Sequence, residues 1–237
     1  MTRATKPPRA LVLAAGRGER MRPLSDTTPK PLLAVRGRPL IEWHLIALAG
    51  AGVREVVVNT AWLEDRLVAA LGDGTRFGLA IRYSMEGRDH GGALETAGGI
   101  AKALPLLADA PHDVFWVVSA DIHAPGFTFD AAHATRFAAG ADLAHLWLVP
   151  NPPFHPAGDF ALDAQGRVRR EPPAGRDWTY ANIALCRAAL VDGIAPGTRA
   201  ALGPLLFEAA NAGRLSGEAL AGEWHNIGTP AQLAALG

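Results

Sequence analysis

The chain has 237 residues, with 23 basic against 23 acidic side chains, 49% hydrophobic residues and 19% charged ones. That balance supports a sizeable core and excludes both a disordered chain and a global nucleic-acid footprint, so any anion site must be local. The longest apolar runs are strand-sized, which predicts no membrane partner, and the single cysteine, Cys186, excludes an internal disulfide and fits a reducing, cytoplasmic setting.

Residues Thr2 to Arg9 are basic and proline-containing with no apolar stretch after them, so 1–8 read as a disordered lead-in to one domain spanning 1–237. Ala10 to Ala15 reads as a short strand buried on both faces. It stops at Gly16-Arg17-Gly18, where missing side chains let a ligand approach the backbone, and Arg20, Arg22 and Lys30 bring positive charge to the same loop. Free N–H groups and cations at the end of a first strand suit a polyanion such as a triphosphate. A P-loop would need Gly-Lys-Ser/Thr, but Glu19 follows Gly18. A dinucleotide fingerprint would need a small residue where Met21 stands and an acidic one where the strand Glu55–Val58 ends at Asn59. A glycine turn with solvated arginines is the plain alternative.

From Pro39 the period turns helical, with Leu40, Ile41, His44, Leu45 and Leu48 on one stripe that ends by Gly50 or Gly52. Glu55–Asn59 is a strand, Trp62–Leu71 a helix and Leu79–Tyr83 a strand. This alternation implies a parallel sheet with its ligand crevice at the strands' carboxyl ends, where Gly16, Asn59 and Glu86 fall. Gly87 to Gly92 reads as a flexible loop, and Leu94 opens a helix running to Leu107. Val114–Val118 is a strand ending at Asp121. An aspartate there can hold a divalent metal whose other positions phosphates and waters fill, or it can simply cap a turn.

Strands follow at Asp142–Val149 and Trp178–Leu185, with a hairpin of Asp159–Leu162 and Arg167–Arg170 between them. Arg199–Ala212 is a helix, and residues 224–230 turn into a terminal one, with Thr229 as N-cap and Pro230 at its first position. The eight histidines lack the paired spacing of zinc sites, so they read as satisfied polar residues. Cys186 follows an apolar run and reads as a buried structural thiol.

Leu13 to Leu24 and Pro29-Lys30-Pro31 closely resemble the signature of the sugar nucleotidyltransferases, Leu-Ala-Ala-Gly-x-Gly-x-Arg-Met-x-Pro-Leu followed by Pro-Lys-Pro. Leu94–Gly99, Asp121 after its apolar strand, and Trp224-x-Asn226-x-Gly228-Thr229-Pro230 follow in the family's order, so the resemblance covers nearly the whole chain. It implies an α/β fold with a Rossmann-like mixed, mostly parallel sheet flanked by helices. It also implies a Mg²⁺-dependent reaction, NTP + sugar 1-phosphate → NDP-sugar + pyrophosphate.

By that resemblance Leu13, Ala14, Ala15, Gly16, Gly18 and Arg20 bind the nucleotide, and Glu86, Leu94, Thr96 and Gly98 lie where the base is read. Arg20, Lys30 and Asp121 carry catalysis, Asp121 and Asn226 hold Mg²⁺, and Asn59, Gly158 and Asn182 contact the sugar. In-line attack on a triphosphate needs positioning and charge neutralisation more than a covalent group, and no obvious Ser-His-Asp or Cys-His set is present.

Within the family the chain most resembles the N-acetylmuramate α-1-phosphate uridylyltransferases. The resemblance rests on Asn59-x-Ala61-Trp62-Leu63, Gly72-Asp73-Gly74-x-Arg76-Phe77-Gly78, Leu94-Glu95-Thr96 and Gly158-Asp159-Phe160. This makes UTP the favoured nucleotide and cell-wall recycling the setting. A mannose- or glucose-1-phosphate guanylyl- or uridylyltransferase is the alternative, and a catalytically silent nucleotide-sensing subunit is one of another class. Two departures stand out: Asn226 occupies a position where the family usually has Asp, and the 86–94 loop is longer than in compact relatives.

Overall fold

The computed structural model describes residues 7–170 and 175–237. Its centre is a seven-stranded sheet. The strands are β1 (Ala10–Leu13), β2 (Glu55–Thr60), β3 (Ala80–Met85), β4 (Val114–Ser119), β5 (Ala144–Pro150), β6 (Trp178–Arg187) and β7 (Leu215–Ala219). They lie in the order β7-β5-β6-β4-β1-β2-β3. All neighbours pair in parallel except β6, which runs antiparallel to both β4 and β5. This is the mixed, mostly parallel sheet that the resemblance implied, the antiparallel β6 being the strand that alternation alone did not predict.

The short apolar runs are buried on both faces because helices cover both. Ala10, Val12, Val56, Val58, Trp116 and Val118 face one layer, against α1 (Leu40–Gly50), α2 (Glu64–Leu71) and α4 (Ala131–Ala139). Their alternates Leu11, Val57, Phe115 and Val117 face α3 (Glu95–Leu107) and α5 (Leu202–Asn211). The period-2 alternation of a strand thus feeds two separate cores. Each fully buried Val or Leu contributes roughly 1.5–3 kcal/mol, so a charge placed at Val12 would disrupt the first core outright. Cys186 is buried and free in the second core, where burial pushes its thiol up to about 12.

The chain leaves β1 towards β2 on one side, while β4 returns to its other side. This reversal opens a crevice outside the carboxyl ends at Leu13 and Ser119. Several expectations shift. Residues 87–90 are not a flexible loop but part of a short helix, Glu86–His90, whose Gly87 and Arg88 N–H groups donate to the Glu64 carboxylate. The helix expected from Trp62 starts at Glu64, because Leu63 takes a left-handed φ of 50°. Of the expected lead-in, residues 1–6 lie outside the described residues. Arg9 is fixed, its carbonyl accepting from Trp116 N–H and its guanidinium 3.0 Å from Glu55. Helix α4, capped by Asp130, and strand β7 had no counterpart in the sequence reading.

Candidate active site

The glycine turn is built by what its residues lack. A Cβ on Gly16 would meet nothing within 4 Å, so this part of the turn is open to the cleft. Gly18 is left-handed at φ 65°, and a Cβ there would stand 3.3 Å from both Lys30 and Ser25 side chains. Ser25 Oγ closes the loop by donating to the Gly18 carbonyl at 2.7 Å. Next, Met21 is buried against Val35, Leu40 and Ile227, which anchors the turn bearing Arg20. The Arg20 guanidinium lies over Gly228, where a Cβ would come within 3.1 Å of Nη2. Arg17 sits 4.4 Å over the Trp62 ring.

Opposite this turn, β4 delivers Asp121. Lys30 Nζ lies 2.7 Å from Asp121 Oδ2, with the lysine 8% exposed and the aspartate side chain 38% exposed. Lys30 is therefore no surface lysine. A two-stranded ribbon pairs Ile122–His123 with His225–Asn226, and Ile227 N–H donates to the Asp121 carbonyl at 2.9 Å. Asn226 is thereby brought beside Asp121 from a distance of more than a hundred residues in sequence. His44 Nε2 at 2.9 Å from the Ile122 carbonyl braces the ribbon from below. Burial drives that imidazole down to about 4, so it stays neutral and donates.

Beneath the cleft runs a polar bracket. Ala14 N–H donates to Asn59 Oδ1 at 2.7 Å, and Asn59 Nδ2 donates to Glu86 Oε1 at 2.7 Å. Glu86 Oε2 then accepts from Leu94 N–H at 2.8 Å. Glu86 is 0% exposed and Asn59 2%. Burial raises the Glu86 carboxyl, against the lowering by Leu94 N–H and the Asn59 amide. Glu86 therefore ties the glycine turn to the start of α3 instead of facing a base, a correction to the expectation. The reason is that its carboxylate is spent on two donors below the surface.

Leu94 and Gly98 are likewise wall-building. Ala97 and Gly98 N–H groups donate to the Ala200 carbonyl, and a Cβ on Gly98 would strike the Thr198 carbonyl at 2.2 Å. A Cβ on Gly99 would meet Glu86 Oε1 at 2.6 Å and Asn59 Nδ2 at 2.7 Å. Thr96 does line the cleft, beside Glu95, whose left-handed φ of 61° marks a strained backbone at the mouth.

The cleft has two lobes that share Leu13, Glu95 and Thr96. The first, of about 670 Å³, holds Leu13 to Arg20, Lys30, Asn59 and Asp121. The second, of about 510 Å³, holds Asn182 and Asn226 with Phe154, His155, Tyr180 and Trp224. Asn182 is left-handed at φ 61°, within the bulge where β6 slips register against β5 between Tyr180 and Ala184. Gly158 lies outside both lobes. Its role is close approach, since a Cβ there would meet the Arg176 carbonyl at 2.4 Å, while its neighbour Asp159 lines the second lobe.

The structure thus brings Leu13, Ala14, Ala15, Gly16, Gly18, Arg20, Lys30, Thr96 and Asp121 to one lobe and Asn182 and Asn226 to the other. The sequence reading missed Phe154, His155, Asp159 and Trp224 as lining, although the proline-rich 151–156 loop carried a signal in its exposed aromatic. The Asp121 carboxylate and the Asn226 amide suit a divalent cation, and a cation, the Lys30 ammonium, already contacts the carboxylate.

Known proteins align with this geometry. The chain matches the family described as nucleotidyl transferase over residues 9–185. It is 47% identical over 226 residues to the N-acetylmuramate alpha-1-phosphate uridylyltransferase of Neisseria meningitidis serogroup B, covering 95% of each chain. It is 37% identical over 232 residues to the enzyme of the same name from Caulobacter vibrioides, covering 95% and 94%. A Bacillus anthracis protein crystallised in complex with a sucrose shares the fold at TM-score 0.74 and 23% identity, covering 96% of this chain and 93% of that one.

Proposed function

The chain belongs to the nucleotidyl transferase family, and from that premise we propose that it transfers the uridylyl group of UTP to N-acetylmuramic acid α-1-phosphate. The products are the UDP-sugar and pyrophosphate, with Mg²⁺ bound by Asp121 and Asn226, in a cytoplasmic route of cell-wall recycling. The observation that carries this reading is the convergence of Arg20, Lys30 and Asp121 on one lobe beside an open glycine turn. Two relatives of that name, matched over about the whole chain, support the substrate pair.

The chemistry needs no proton shuttle. A sugar-phosphate oxygen attacks the α-phosphorus, the P–O bond to the β-phosphate breaks, and its electron pair leaves with pyrophosphate. The glycine turn offers backbone N–H groups, Arg20 takes the triphosphate charge, and Lys30 is held near the α-phosphate by its pair with Asp121. Bound Mg²⁺ would supply further charge neutralisation across the phosphates. The second lobe, lined by Trp224, Phe154, Thr179 and Asn182, offers aromatic faces and polar groups to a hexose bearing acetamido and lactyl substituents.

Pyrophosphate release from a panel of UTP, GTP, dTTP and ATP against several sugar 1-phosphates tests the reading. The expected result is the highest kcat/KM for UTP with N-acetylmuramic acid α-1-phosphate. Preference for GTP with mannose 1-phosphate would transfer the chain to the guanylyltransferases, and silence with every pair would favour a sensing subunit.

A further inference from the structure

A second polar cluster lies on the sheet face opposite α3 and α5, far along the sheet from the cleft, and none of its residues lines either lobe. Helix α4 contributes His133, β5 His145 and β7 Glu218. One donor atom from each lies within 4.8 Å of the others. Glu218 Oε2 is 3.9 Å from both His133 Nδ1 and His145 Nε2.

His145 is 8% exposed, and its Nε2 is buried with no hydrogen-bond partner. Its other nitrogen, Nδ1, is 3.0 Å from Ser216 Oγ. Burial disfavours the charged form of the nearby Asp142, but its carboxyl is held low by the Arg167 guanidinium at 2.9 and 3.0 Å and by the Ser216 hydroxyl. The Ser216 hydroxyl can take the Nδ1–H of His145 while its own proton turns towards the anionic Asp142. With Nδ1 donating to Ser216, the unshared Nε2 lone pair is left on the side of Glu218. Trp147 Nε1 holds the second Glu218 oxygen at 2.8 Å, leaving Oε2 facing the histidines.

A polar atom that is buried and unpaired in this way is costly unless something accepts its lone pair. We propose that His133 Nδ1, His145 Nε2 and Glu218 Oε2 form a site for a first-row transition-metal ion of the Zn²⁺ class, clamping α4 to the edge strand β7. Two imidazoles and one carboxylate suit Zn²⁺, and hard Mg²⁺ prefers oxygen ligands. Ligand atoms about 2.1 Å from one tetrahedral ion stand roughly 3.4 Å apart, so closing separations of at most 4.8 Å asks each ligand atom to move by up to about 0.7 Å. The half-exposed Glu218 leaves an entry path and a fourth position for water. Ser216, held at Nδ1, orients the imidazole of a metal-bound His145. Arg136, whose charge reaches His145, opposes the ion and is offset by Asp142 and Glu218.

Chelator-treated full-length protein should be titrated with Co²⁺ in excess Mg²⁺, following the visible bands of tetrahedral Co²⁺, and then with Zn²⁺. The expected result is one equivalent of Co²⁺, displaced by Zn²⁺ and not by Mg²⁺, with a Zn²⁺-dependent rise in Tm. His133→Ala and Glu218→Gln should each weaken binding at least tenfold and abolish the Tm rise, and Ser216→Ala should weaken it about tenfold. Pyrophosphate release at saturating Mg²⁺ should be unchanged in Glu218→Gln. Failure to find one saturable equivalent, or equal affinity in wild type and both ligand variants, would overturn the site.

Discussion

Asn59→Ala tests whether the buried bracket beneath the cleft carries the fold as well as the site. The side chain satisfies Ala14 N–H and donates to Glu86, each at 2.7 Å, in surroundings closed to water. Truncation leaves a buried N–H without an acceptor, about 1–3 kcal/mol, and removes a donor from a buried carboxylate, a further 1.5–3 kcal/mol or so. The sum, about 2.5–6 kcal/mol, is a large share of a typical stability of about 5–15 kcal/mol. Asn59→Asp separates the two halves of the effect. It keeps an acceptor for Ala14 but sets a second carboxyl against Glu86, so the pair must share a proton.

Burial already raises the Glu86 carboxyl above its ordinary 4.5. A carboxyl raised in the fold binds its proton more tightly there than in the unfolded chain, so stability falls as pH climbs through the folded value. Asn59→Asp should therefore approach wild type near pH 4 and fall at least as far as Asn59→Ala by pH 8. Urea unfolding at both pH values reads this out. A loss under about 1 kcal/mol in Asn59→Ala, or a pH-independent Asn59→Asp, would refute the bracket.

Three further outcomes follow from the site. Lys30→Met should lower kcat by about 10²–10³ with a stability change near 1 kcal/mol, because the Asp121 carboxylate it abandons can rehydrate. Asp121→Ala should match it in turnover but cost more stability, as it strands the buried Lys30 ammonium; equal urea midpoints for the two variants would contradict the asymmetry. His44, driven down to about 4 by burial, takes up a proton on unfolding below pH 6.5, so its stabilising share is present above 6.5 and lost as pH falls towards 4. His44→Gln, which keeps a donor for the Ile122 carbonyl, should flatten that acid limb by about 3 kcal/mol, and an unchanged limb in urea titrations would remove His44 from it.

What the sequence revealed about the fold was set by local pattern. The double-sided burial of β1, β2 and β4 was legible because continuous apolar runs of strand length have few other uses. The glycine turn was legible because Gly16 and Gly18 precede fixed cations. Helix α4 was missed because Ala131–Ala139 is short and alanine-rich, so that only Ala134 and Phe137 of it are buried and no run of large apolar residues marks it. The ribbon joining residue 122 to 226 depends on pairing across the whole chain, which no local signal encodes. Gly98 reads as base-facing from the resemblance, yet the lack of side chains at Gly98 and Gly99 admits the 198–200 segment and the Glu86–Asn59 bond. The His133–His145–Glu218 cluster escaped spacing rules because its members come from a helix and two strands.

Asn226 is where the chain departs from the aspartate that its resemblance implies, and the structure gives the departure a consequence. Without nucleotide the proposed metal site offers one carboxylate, Asp121, paired with Lys30 at 2.7 Å. A divalent cation arriving alone would compete with that ammonium for Asp121 and find only a neutral amide at 226. An incoming triphosphate changes the balance, because its anionic oxygens can take over Lys30 and Arg20 and supply the missing charge. Metal and nucleotide should then bind as a unit. Asn226→Asp adds a carboxylate beside Asp121 through the same ribbon register. It should tighten Mg²⁺ binding in the nucleotide-free protein about tenfold, or about 1.4 kcal/mol, while narrowing the gain that UTP brings. Calorimetric Mg²⁺ titrations of both proteins, with and without UTP, measure the two legs. Superimposable curves for wild type and Asn226→Asp would exclude residue 226 from the metal site and leave the Asn226 amide as a turn-forming group of the ribbon.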